Sequence, residues 1–250
     1  MLPPKNLPLI FGHRGASAHA PENTLSSFEL ALTQGAAGVE LDAKLSADGA
    51  VVVIHDQTVD RTTDGNGKVN QLNLADLKKL DAGSRFSPNF KGERIPTLEE
   101  VFSAIGRRGI INVELTNYAS RHDPLPELVA ALIDKHDLRQ HVMISSFDPD
   151  NLRRFRRQLA GVPVCLLTLN GLAGSLGRNL LVDWYRCDGL NPYFSDVTPA
   201  LVGRQQRKKR QINVWTVNQP EEIRRLASLH VDGIITDSPI SAFQALQASA

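Results

Sequence analysis

The sequence predicts a single (β/α)8 barrel, a parallel α/β fold, and three observations support this prediction. The chain has 250 residues, close to the length that is typical of this fold. Short apolar runs of strand length alternate with helical patterns along almost the whole chain, which is the pattern of parallel βαβ units. Polar residues follow several of these runs directly, at the strand ends where such barrels place their reactive groups. We therefore expect one domain over residues 1–250.

Nine runs have the composition of β-strands, which is one more than an eight-stranded barrel needs. The excess is explained at Asp48-Gly49, a strong hairpin signal between two β-rich runs that are too close together for a crossover helix. The run after this turn is predicted to be an antiparallel return strand that brings His55 back to about the level of Glu40. The predicted strands are Leu9–His13, Gly38–Leu45, Val51–His55, Ile110–Leu115, Val142–Ser146, Val164–Thr168, Gly189–Pro192, Ile212–Val217 and Gly233–Thr236.

Each barrel strand precedes a helical pattern, and several of these patterns begin at or near a proline, which suits the first turn of a helix. Residues 56–95 differ because they are rich in Gly, Asp, Asn and Pro, and we predict an inserted lobe there over one mouth of the barrel. The predicted helices are Thr24–Gln34, Thr97–Arg107, Pro124–Lys135, Pro149–Leu159, Leu172–Val182, Pro199–Lys209, Pro220–Leu229 and Pro239–Gln247.

The composition argues against several classes of function. Lys and Arg total 28 against 27 for Asp and Glu, so a formal net charge of +1 indicates no general affinity for nucleic acid or anionic membranes. The basic runs 153–157 and 204–210 are interpreted as solvated helix faces. No apolar run is long enough to span a membrane, and a secretory signal pattern is lacking. We therefore expect a cytoplasmic protein with no nucleic-acid partner, no stable membrane association, and reduced, buried cysteines at Cys165 and Cys187.

Three acidic residues at strand ends predict a metal site. Glu40 and Asp42 are two apart on a strand, so both side chains point to the same face, which in a barrel is the interior. Burial of two like charges is very unfavourable without a cation or a shift in pKa. With Glu114 on the adjacent barrel strand they offer three oxygen ligands for one divalent ion, with Mg²⁺ favoured and Ca²⁺ as the alternative. The competing interpretation is that these carboxylates pair with Arg or Lys.

Two histidines are predicted to flank this site, since His13 ends the first strand and His55 ends the return strand. Imidazole suits proton transfer near neutral pH, and a pair supplies one group to activate a nucleophile and one to protonate a leaving alcohol. Arg14 offers a planar guanidinium for a phosphate oxygen. Either histidine alone would be interpreted as an ordinary core residue, but the pair beside three acids favours a catalytic site.

Most of the site residues, Glu114 excepted, lie in motifs that follow one another along the chain: Gly12-His13-Arg14-Gly15-Ala16, Ala20-Pro21-Glu22-Asn23-Thr24, Val39-Glu40-Leu41-Asp42, Val53-Ile54-His55-Asp56, Arg61-Thr62-Thr63-Asp64-Gly65, Val214-Trp215-Thr216-Val217-Asn218 and Asp232-Gly233-Ile234-Ile235-Thr236-Asp237. This series closely resembles the glycerophosphodiester phosphodiesterase family, above all its bacterial cytoplasmic branch. The resemblance covers almost the whole chain. It implies a barrel of the phospholipase-C-like phosphodiesterase type and metal-dependent hydrolysis of small-molecule glycerophosphodiesters to glycerol 3-phosphate and an alcohol.

The resemblance also implies a role for each residue. The two histidines would be the catalytic acid and base, and the three acids would bind the metal. Arg14 would hold the phosphate, while Glu22 and Asn23 would support the site. Trp215 would form an apolar wall for the glycerol moiety, with an ordinary barrel-filling aromatic as the alternative.

One position departs from the family pattern. Where the family usually has Glu-x-Lys, this chain has Glu114-Leu115-Thr116, so an ammonium group that would face the phosphate is missing. Lys44 continues the alternation of Glu40 and Asp42, points to the same face, and is therefore the candidate to compensate. The alternative is that Lys44 is a solvated residue at a strand end.

The residues are compatible with more than one chemical course. The nucleophile is either water or the neighbouring glycerol hydroxyl, which would first give a cyclic product. One rival function is a phospholipase that cleaves intact lipids, for which the sequence shows no evident apolar rim or interfacial helix. The other rival is a phosphodiester-binding protein with weak catalysis, which the departure at Thr116 suggests.

Overall fold

A computed structural model of the chain describes residues 7–247, and these fold as the predicted (β/α)8 barrel. Eight parallel strands form the barrel, which closes where the first strand pairs with the second. The strand predicted over Ile212–Val217 ends at Val214, so the part of that prediction beyond Val214 is wrong. The strands are β1 (Leu9–His13), β2 (Gly38–Leu45), β3 (Val51–Val53), β4 (Ile110–Leu115), β5 (Val142–Ser146), β6 (Val164–Thr168), β7 (Gly189–Pro192), β8 (Gln211–Val214) and β9 (Gly233–Thr236).

The helices lie where the sequence predicts them, with ends that differ by a few residues. Thr24 and Thr97 cap the first and third helices, each accepting a hydrogen bond from a backbone N–H of the first turn. Among residues 7–247, no helix combines the length and apolar character that crossing a membrane requires. The helices are α1 (Leu25–Thr33), α2 (Leu74–Leu77), α3 (Leu98–Ile105), α4 (Leu125–Lys135), α5 (Pro149–Gln158), α6 (Gly171–Leu176), α7 (Val182–Trp184), α8 (Pro199–Arg207), α9 (Pro220–Ser228) and α10 (Pro239–Gln247).

The hairpin after β2 determines where two strand ends meet. β3 pairs antiparallel with β2 from Ala43↔Val53 to Leu45↔Val51, so the return strand ends two residues earlier than predicted, before His55. On β2, residues 38–43 pair with β4 along one edge, while residues 38–40 pair with β1 and residues 43–45 with β3. β1 and β3 must therefore share the other edge of β2. The end of β1 consequently approaches the end of β3.

Residues 56–95 connect β3 to α3 and contain only short helical turns. The Asp81 carboxylate organises part of this segment by accepting hydrogen bonds from the backbone N–H groups of Gly83, Ser84 and Gly92. A small apolar cluster beneath the segment includes Val52 and Ile54 from the hairpin. Because its core is shared with the hairpin, we propose that the segment is a lobe of the barrel domain.

Gly38 allows β2 and β4 to approach closely at the bottom of the barrel. A Cβ atom at this position would lie 1.9 Å from the carbonyl oxygen of Ile110, a backbone atom of the neighbouring strand. We expect Gly38→Ala to lower the free energy of unfolding by about 1–3 kcal/mol, because the strands would have to separate. Urea unfolding followed by circular dichroism measures this change.

The matched control is Gly203→Ala in α8, where the nearest atom to a new Cβ is a flexible Arg207 nitrogen at 3.5 Å. This control should leave the unfolding midpoint unchanged or raise stability by up to about 1 kcal/mol, because alanine favours helix. Equal midpoints for the two variants would contradict the close approach at Gly38.

Candidate active site

Glu40, Asp42 and Glu114 lie together inside the barrel, where each offers a carboxylate oxygen within 4.8 Å of the others. Glu40 and Asp42 come from β2, and the strand register places Asp42 directly beside Glu114 of β4. Strand alternation turns all three side chains inward, so Glu40 is 4% exposed and Asp42 is 1% exposed. The sequence prediction that these acids share one place therefore agrees with the structure, and the cluster could hold a metal ion.

The acids are not neutralised by basic side chains as a group. Burial, followed by the negative charge of Asp42, raises the pKa of Glu114 to about 8 and raises the pKa of Glu40 well above its usual value. Within residues 7–247 neither glutamate forms an ion pair with Arg or Lys, whereas Asp42 Oδ2 lies 3.3 Å from Arg14 Nε. The competing interpretation of cation pairing therefore applies to Asp42 alone. Three close carboxylates that repel one another fit one hard divalent ion.

The turn after β1 places a guanidinium and an amide beside the acids. Arg14 and Asn23 both have positive φ, 55° and 58°, a conformation that is unfavourable for residues with a Cβ and concentrated at functional sites. The Arg14 backbone N–H donates to Glu40 Oε2 at 3.2 Å, and Nη1 donates to Glu22 Oε1 at 2.9 Å. Asn23 Nδ2 donates to Asp42 Oδ2 at 2.8 Å. Burial alone would lower the pKa of Arg14, but the surrounding carboxylates outweigh it and raise the pKa.

Each predicted catalytic histidine contacts an aspartate through Nδ1. His13 Nδ1 lies 2.6 Å from Asp237 Oδ1, and His55 Nδ1 lies 2.7 Å from Asp56 Oδ1. A carboxylate at Nδ1 holds a proton there and leaves Nε2 free to exchange a proton with a substrate. The His13 side chain is 20% exposed and that of His55 is 42% exposed, so His55 is more open to solvent. Because β1 and β3 share one edge of β2, the end of β1 at His13 lies near the end of β3, two residues before His55.

Asp237 follows β9, and the sequence motifs predicted no role for it. It accepts hydrogen bonds from Asn218 Nδ2 at 2.6 Å and Ser17 Oγ at 3.1 Å in addition to its contact with His13. Although burial raises the pKa of Asp237, these partners, His13 first, lower it overall and keep the carboxylate charged. Its position directly after a barrel strand could have marked Asp237 as a candidate site residue. The sequence could not have predicted its contact with His13, however, because the two residues are 224 positions apart.

Arg61, in the segment of residues 56–95, was also missed. Its Nε donates to Asp56 Oδ2 at 2.6 Å, and its two terminal nitrogens donate to Glu22 at 2.7 and 2.8 Å. The hydrogen bond from Arg61 is the main cause that holds the pKa of Asp56 below its usual range. Because Glu22 also binds Arg14, one chain of ionic contacts connects His55, through Asp56 and Arg61, to the turn after β1.

Lys44 is buried, only 5% exposed, and does not lie in solvent as the alternative interpretation required. Its Nζ donates to the backbone oxygen and to Oγ1 of Thr116, each at 2.8 Å. The ammonium group therefore lies beside residue 116, the position at which the family pattern has its own lysine. Burial lowers the pKa of Lys44, while the charges of Asp42 and Glu114 oppose this.

Four aromatic side chains meet at one side of the mouth. Trp215 packs edge-to-face on Phe147 and on Tyr193, with ring centroids 5.4 Å apart in both pairs. Tyr118 extends the row to Phe147 at 5.9 Å, and its hydroxyl donates to Glu114 at 2.7 Å. Trp215 Nε1 donates to Asn191 O, which fixes the indole. Trp215 itself is half-buried.

A parallel barrel that gathers buried carboxylates at one mouth, in a cluster that could hold a metal ion, has the arrangement of a metal-dependent barrel enzyme. The chain matches the family model for the glycerophosphoryl diester phosphodiesterase family over residues 13–241. The chain belongs to this family.

Individual relatives agree with this assignment. The chain is 39% identical over 232 residues to a glycerophosphodiester phosphodiesterase of Caldanaerobacter subterraneus subsp. tengcongensis, and the match covers 92% of this chain and 94% of that one. It is 33% identical over 234 residues to a glycerophosphodiester phosphodiesterase of Bacillus altitudinis, again with 92% and 94% covered. The family that the sequence motifs indicated is therefore confirmed.

Solved structures support the same conclusion. A phosphodiesterase of Oleispira antarctica in complex with the product sn-glycerol-3-phosphate superimposes with a TM-score of 0.88 at 29% identity, covering 96% of this chain and 97% of that one. A glycerophosphodiester phosphodiesterase of Agrobacterium tumefaciens has a TM-score of 0.82 at 28% identity, covering 96% and 100%. The predicted barrel type is thus confirmed.

Proposed function

We propose that the protein hydrolyses glycerophosphodiesters to glycerol 3-phosphate and a free alcohol, using one divalent metal ion, with Mg²⁺ favoured over Ca²⁺. This proposal depends on the acidic cluster of Glu40, Asp42 and Glu114. His13 and His55 follow strand ends at the same mouth of the barrel. The relative from Oleispira antarctica, whose structure contains the product sn-glycerol-3-phosphate, supports the choice of substrate class.

Glu40, Asp42 and Glu114 would hold the ion. When bound, it would act as a Lewis acid at a non-bridging phosphate oxygen. Arg14 is suited to bind a second phosphate oxygen, because within residues 7–247 its Nη1 donates to Glu22, whereas Nη2 has no hydrogen-bond partner and Nε makes only an ion pair with Asp42. Asn23 orients Asp42 through its amide. These contacts would hold the phosphate in one orientation at the mouth.

The two histidines would transfer the protons. One Nε2 would take the proton from the nucleophile and the other would protonate the departing alcohol, while Asp237 and Asp56 hold the imidazole rings. The nucleophile is either water or the neighbouring glycerol hydroxyl. Oxygen-18 water distinguishes the two, since attack by the glycerol hydroxyl leaves no label in the first-formed product.

Trp215 would contact the glycerol moiety. Its indole is fixed by Asn191 and by two neighbouring rings, so it offers a rigid apolar surface with little entropy to lose on binding. A cytoplasmic location is proposed on the basis of the two cysteines, Cys165 and Cys187, which are both buried and free.

Lys44 is expected to supply the positive charge that the family pattern places at residue 116. We expect Lys44→Ala to lower kcat by about 10- to 100-fold with a smaller change in KM, since a buried ammonium beside the carboxylates would stabilise charge in the transition state. Steady-state kinetics on glycerophosphocholine measures this. Adding Thr116→Lys to Lys44→Ala should restore part of the loss. An unchanged turnover number in Lys44→Ala would contradict the role.

The decisive experiment is an assay of glycerol 3-phosphate release from glycerophosphocholine, glycerophosphoethanolamine and glycerophosphoglycerol, with and without chelator. We expect release that stops with chelator and returns with Mg²⁺. Tight binding of glycerol 3-phosphate with no turnover in Mg²⁺, Mn²⁺ or Ca²⁺ would instead indicate a binding protein. Release of diacylglycerol from intact phospholipid, without activity on the glycerophosphodiesters, would indicate a phospholipase.

A further inference from the structure

The helix between β6 and β7 exposes a row of large apolar side chains. Leu172 is 94% exposed, Leu176 55%, Leu180 61% and Trp184 82%, and these four residues are spaced by four. Leu169, just before the helix, is 50% exposed and extends the row toward the mouth of the barrel. We call Leu172, Leu176, Leu180 and Trp184 the apolar stripe. Large hydrophobic side chains that lie in a continuous row on a surface mark interaction sites more often than scattered ones do.

The backbone keeps the apolar stripe straight. α6 and α7 are joined without a break through a π-helical segment, residues 177–181. In an α-helix, four residues rotate about 40° more than one full turn around the helix axis. In a π-helix, which has more residues per turn, four residues rotate less than one full turn. The two deviations oppose each other, so residues four apart stay on one face over about 18 Å. The opposite face has the same spacing, since Gly174, Arg178 and Val182 are all buried against the barrel.

Basic residues lie on both sides of the apolar stripe. On one side, Arg153, Arg156 and Arg157 of α5 line a hollow of about 270 Å³ together with Trp184, Tyr185 and Arg186. Asp150 binds Arg153 and Asp188 binds Arg156. In the part of the chain that the structure describes, no hydrogen bond or ion pair involves the guanidinium of Arg157 or Arg186.

On the other side is the end of α8, which contacts the helix of the stripe where Lys208 and Arg210 bind Asp183. These two contacts neutralise Asp183, the only acidic residue of the helix itself. Arg207 and Lys209 are exposed, and over residues 7–247 their charged ends have no hydrogen-bond or ion-pair partner. The two basic runs that sequence analysis interpreted as solvated therefore lie on either side of one exposed apolar row.

We propose that this face, the apolar stripe with its basic margins, docks reversibly on the surface of anionic phospholipid bilayers. An apolar row between cationic margins is complementary to an interface that has acyl chains below and phosphates above. A second copy of the chain fits less well, because stripe-to-stripe packing would bring unpaired cations of both copies into one interface. A nucleic acid offers phosphates but no surface for four exposed apolar side chains.

The sequence showed no evident interfacial helix because leucines at this spacing are also typical of a barrel helix that packs inward. The exposed fractions show that these leucines face outward. Docking would place the barrel on its side, with Leu169 and the mouth at one end of the contact and Trp184 at the other. If the proposed function holds, the protein would lie where removal of acyl chains from phospholipids produces glycerophosphodiesters. The docking itself does not depend on that activity.

Cosedimentation of the full chain with vesicles tests the proposal. We expect binding to phosphatidylcholine vesicles that contain roughly three parts in ten phosphatidylglycerol, binding that weakens with salt, and much weaker binding to pure phosphatidylcholine. Leu180→Ser/Trp184→Ser should reduce the bound fraction by about tenfold, while Ile240→Ser, an exposed apolar residue on α10, should not. Arg157→Glu/Arg186→Glu should also reduce binding, unlike Lys68→Glu/Lys91→Glu, which changes the net charge equally.

A spectroscopic readout follows from the two tryptophans of the chain. In Trp215→Phe protein, the fluorescence reports Trp184 alone and should shift to shorter wavelength with anionic vesicles. The stripe variants should keep the wild-type circular dichroism and the wild-type hydrolysis of glycerophosphocholine. Failure of the docking proposal is thereby separated from failure of the proposed function.

Three results would overturn the proposal: no binding of the wild-type chain to anionic vesicles, equal binding by the stripe variants, or a dimer in sedimentation velocity that Leu180→Ser/Trp184→Ser converts to monomer. The last result would assign the face to a second copy of the chain.

Discussion

Glu114→Gln is expected to lower kcat/KM for glycerophosphodiester hydrolysis by about 10³-fold at limiting Mg²⁺. Gln keeps the size of the side chain and its contact with Tyr118, but it removes one of the three negative charges that would hold the ion. Part of the loss should return at high Mg²⁺, because the defect lies in metal affinity as well as in catalysis. Steady-state kinetics over a range of Mg²⁺ concentrations measures both effects.

The matched control is Glu221→Gln, at an exposed glutamate of α9 whose one ion-pair partner within residues 7–247 is Arg224. Its kinetics should equal those of the wild type. A Glu114→Gln protein with wild-type activity and the same chelator sensitivity would show that the ion, if one acts, lies elsewhere.

Metal affinity should also depend on pH. The pKa of Glu114 is raised to about 8 and that of Glu40 is raised as well, so below these values the metal-free site binds protons that an ion must displace. We expect Mg²⁺ affinity to fall as the pH is lowered from about 8 to 6 and binding to release protons. Calorimetry in two buffers of different ionisation enthalpy detects the released protons. A pH-independent affinity would contradict the competition.

The second large effect is expected at the histidines. His13→Gln and His55→Gln should each lower kcat by about 10²- to 10⁴-fold, with little change in KM, because each would remove the Nε2 proposed to transfer a proton while leaving the proposed phosphate contacts in place. Each variant should also lose one limb of the pH–rate profile. If the two proposed proton transfers occur in one step, the double variant should be little worse than the single ones.

A substrate with a good leaving group tells the acid from the base. Hydrolysis of a p-nitrophenyl phosphodiester needs no proton for the departing alcohol, so the variant without the general acid should recover most of its activity on that substrate. His122→Gln, at an exposed histidine on the loop before α4, is the control and should behave as wild type. Wild-type kcat in both His13→Gln and His55→Gln would refute the proton-transfer roles.

Much of this protein was predictable because local patterns determined it. Alternating strand and helix periods predicted the barrel, and Asp48-Gly49 predicted the hairpin without which nine strands would have been assigned to the barrel instead of eight. The alternation of β2 was enough to predict that Glu40, Asp42 and Lys44 share the interior, since strand geometry turns every second side chain the same way. The end of the return strand at His55 was predicted wrongly, because pairing with β2 already ends at Val53.

What the sequence determined by itself was therefore the kind and order of the elements and the residue types at their ends. Only the tertiary structure decided which side chains meet. His13 contacts Asp237 because β1 pairs with β9. Arg61 contacts Glu22 because the lobe packs against the hairpin. It also decided that Leu172 and Trp184 face solvent, which depends on the π-helical segment and on the face that packs against the barrel. Local periodicity is a property of neighbouring residues, whereas a partner or an exposed face depends on how the whole chain closes.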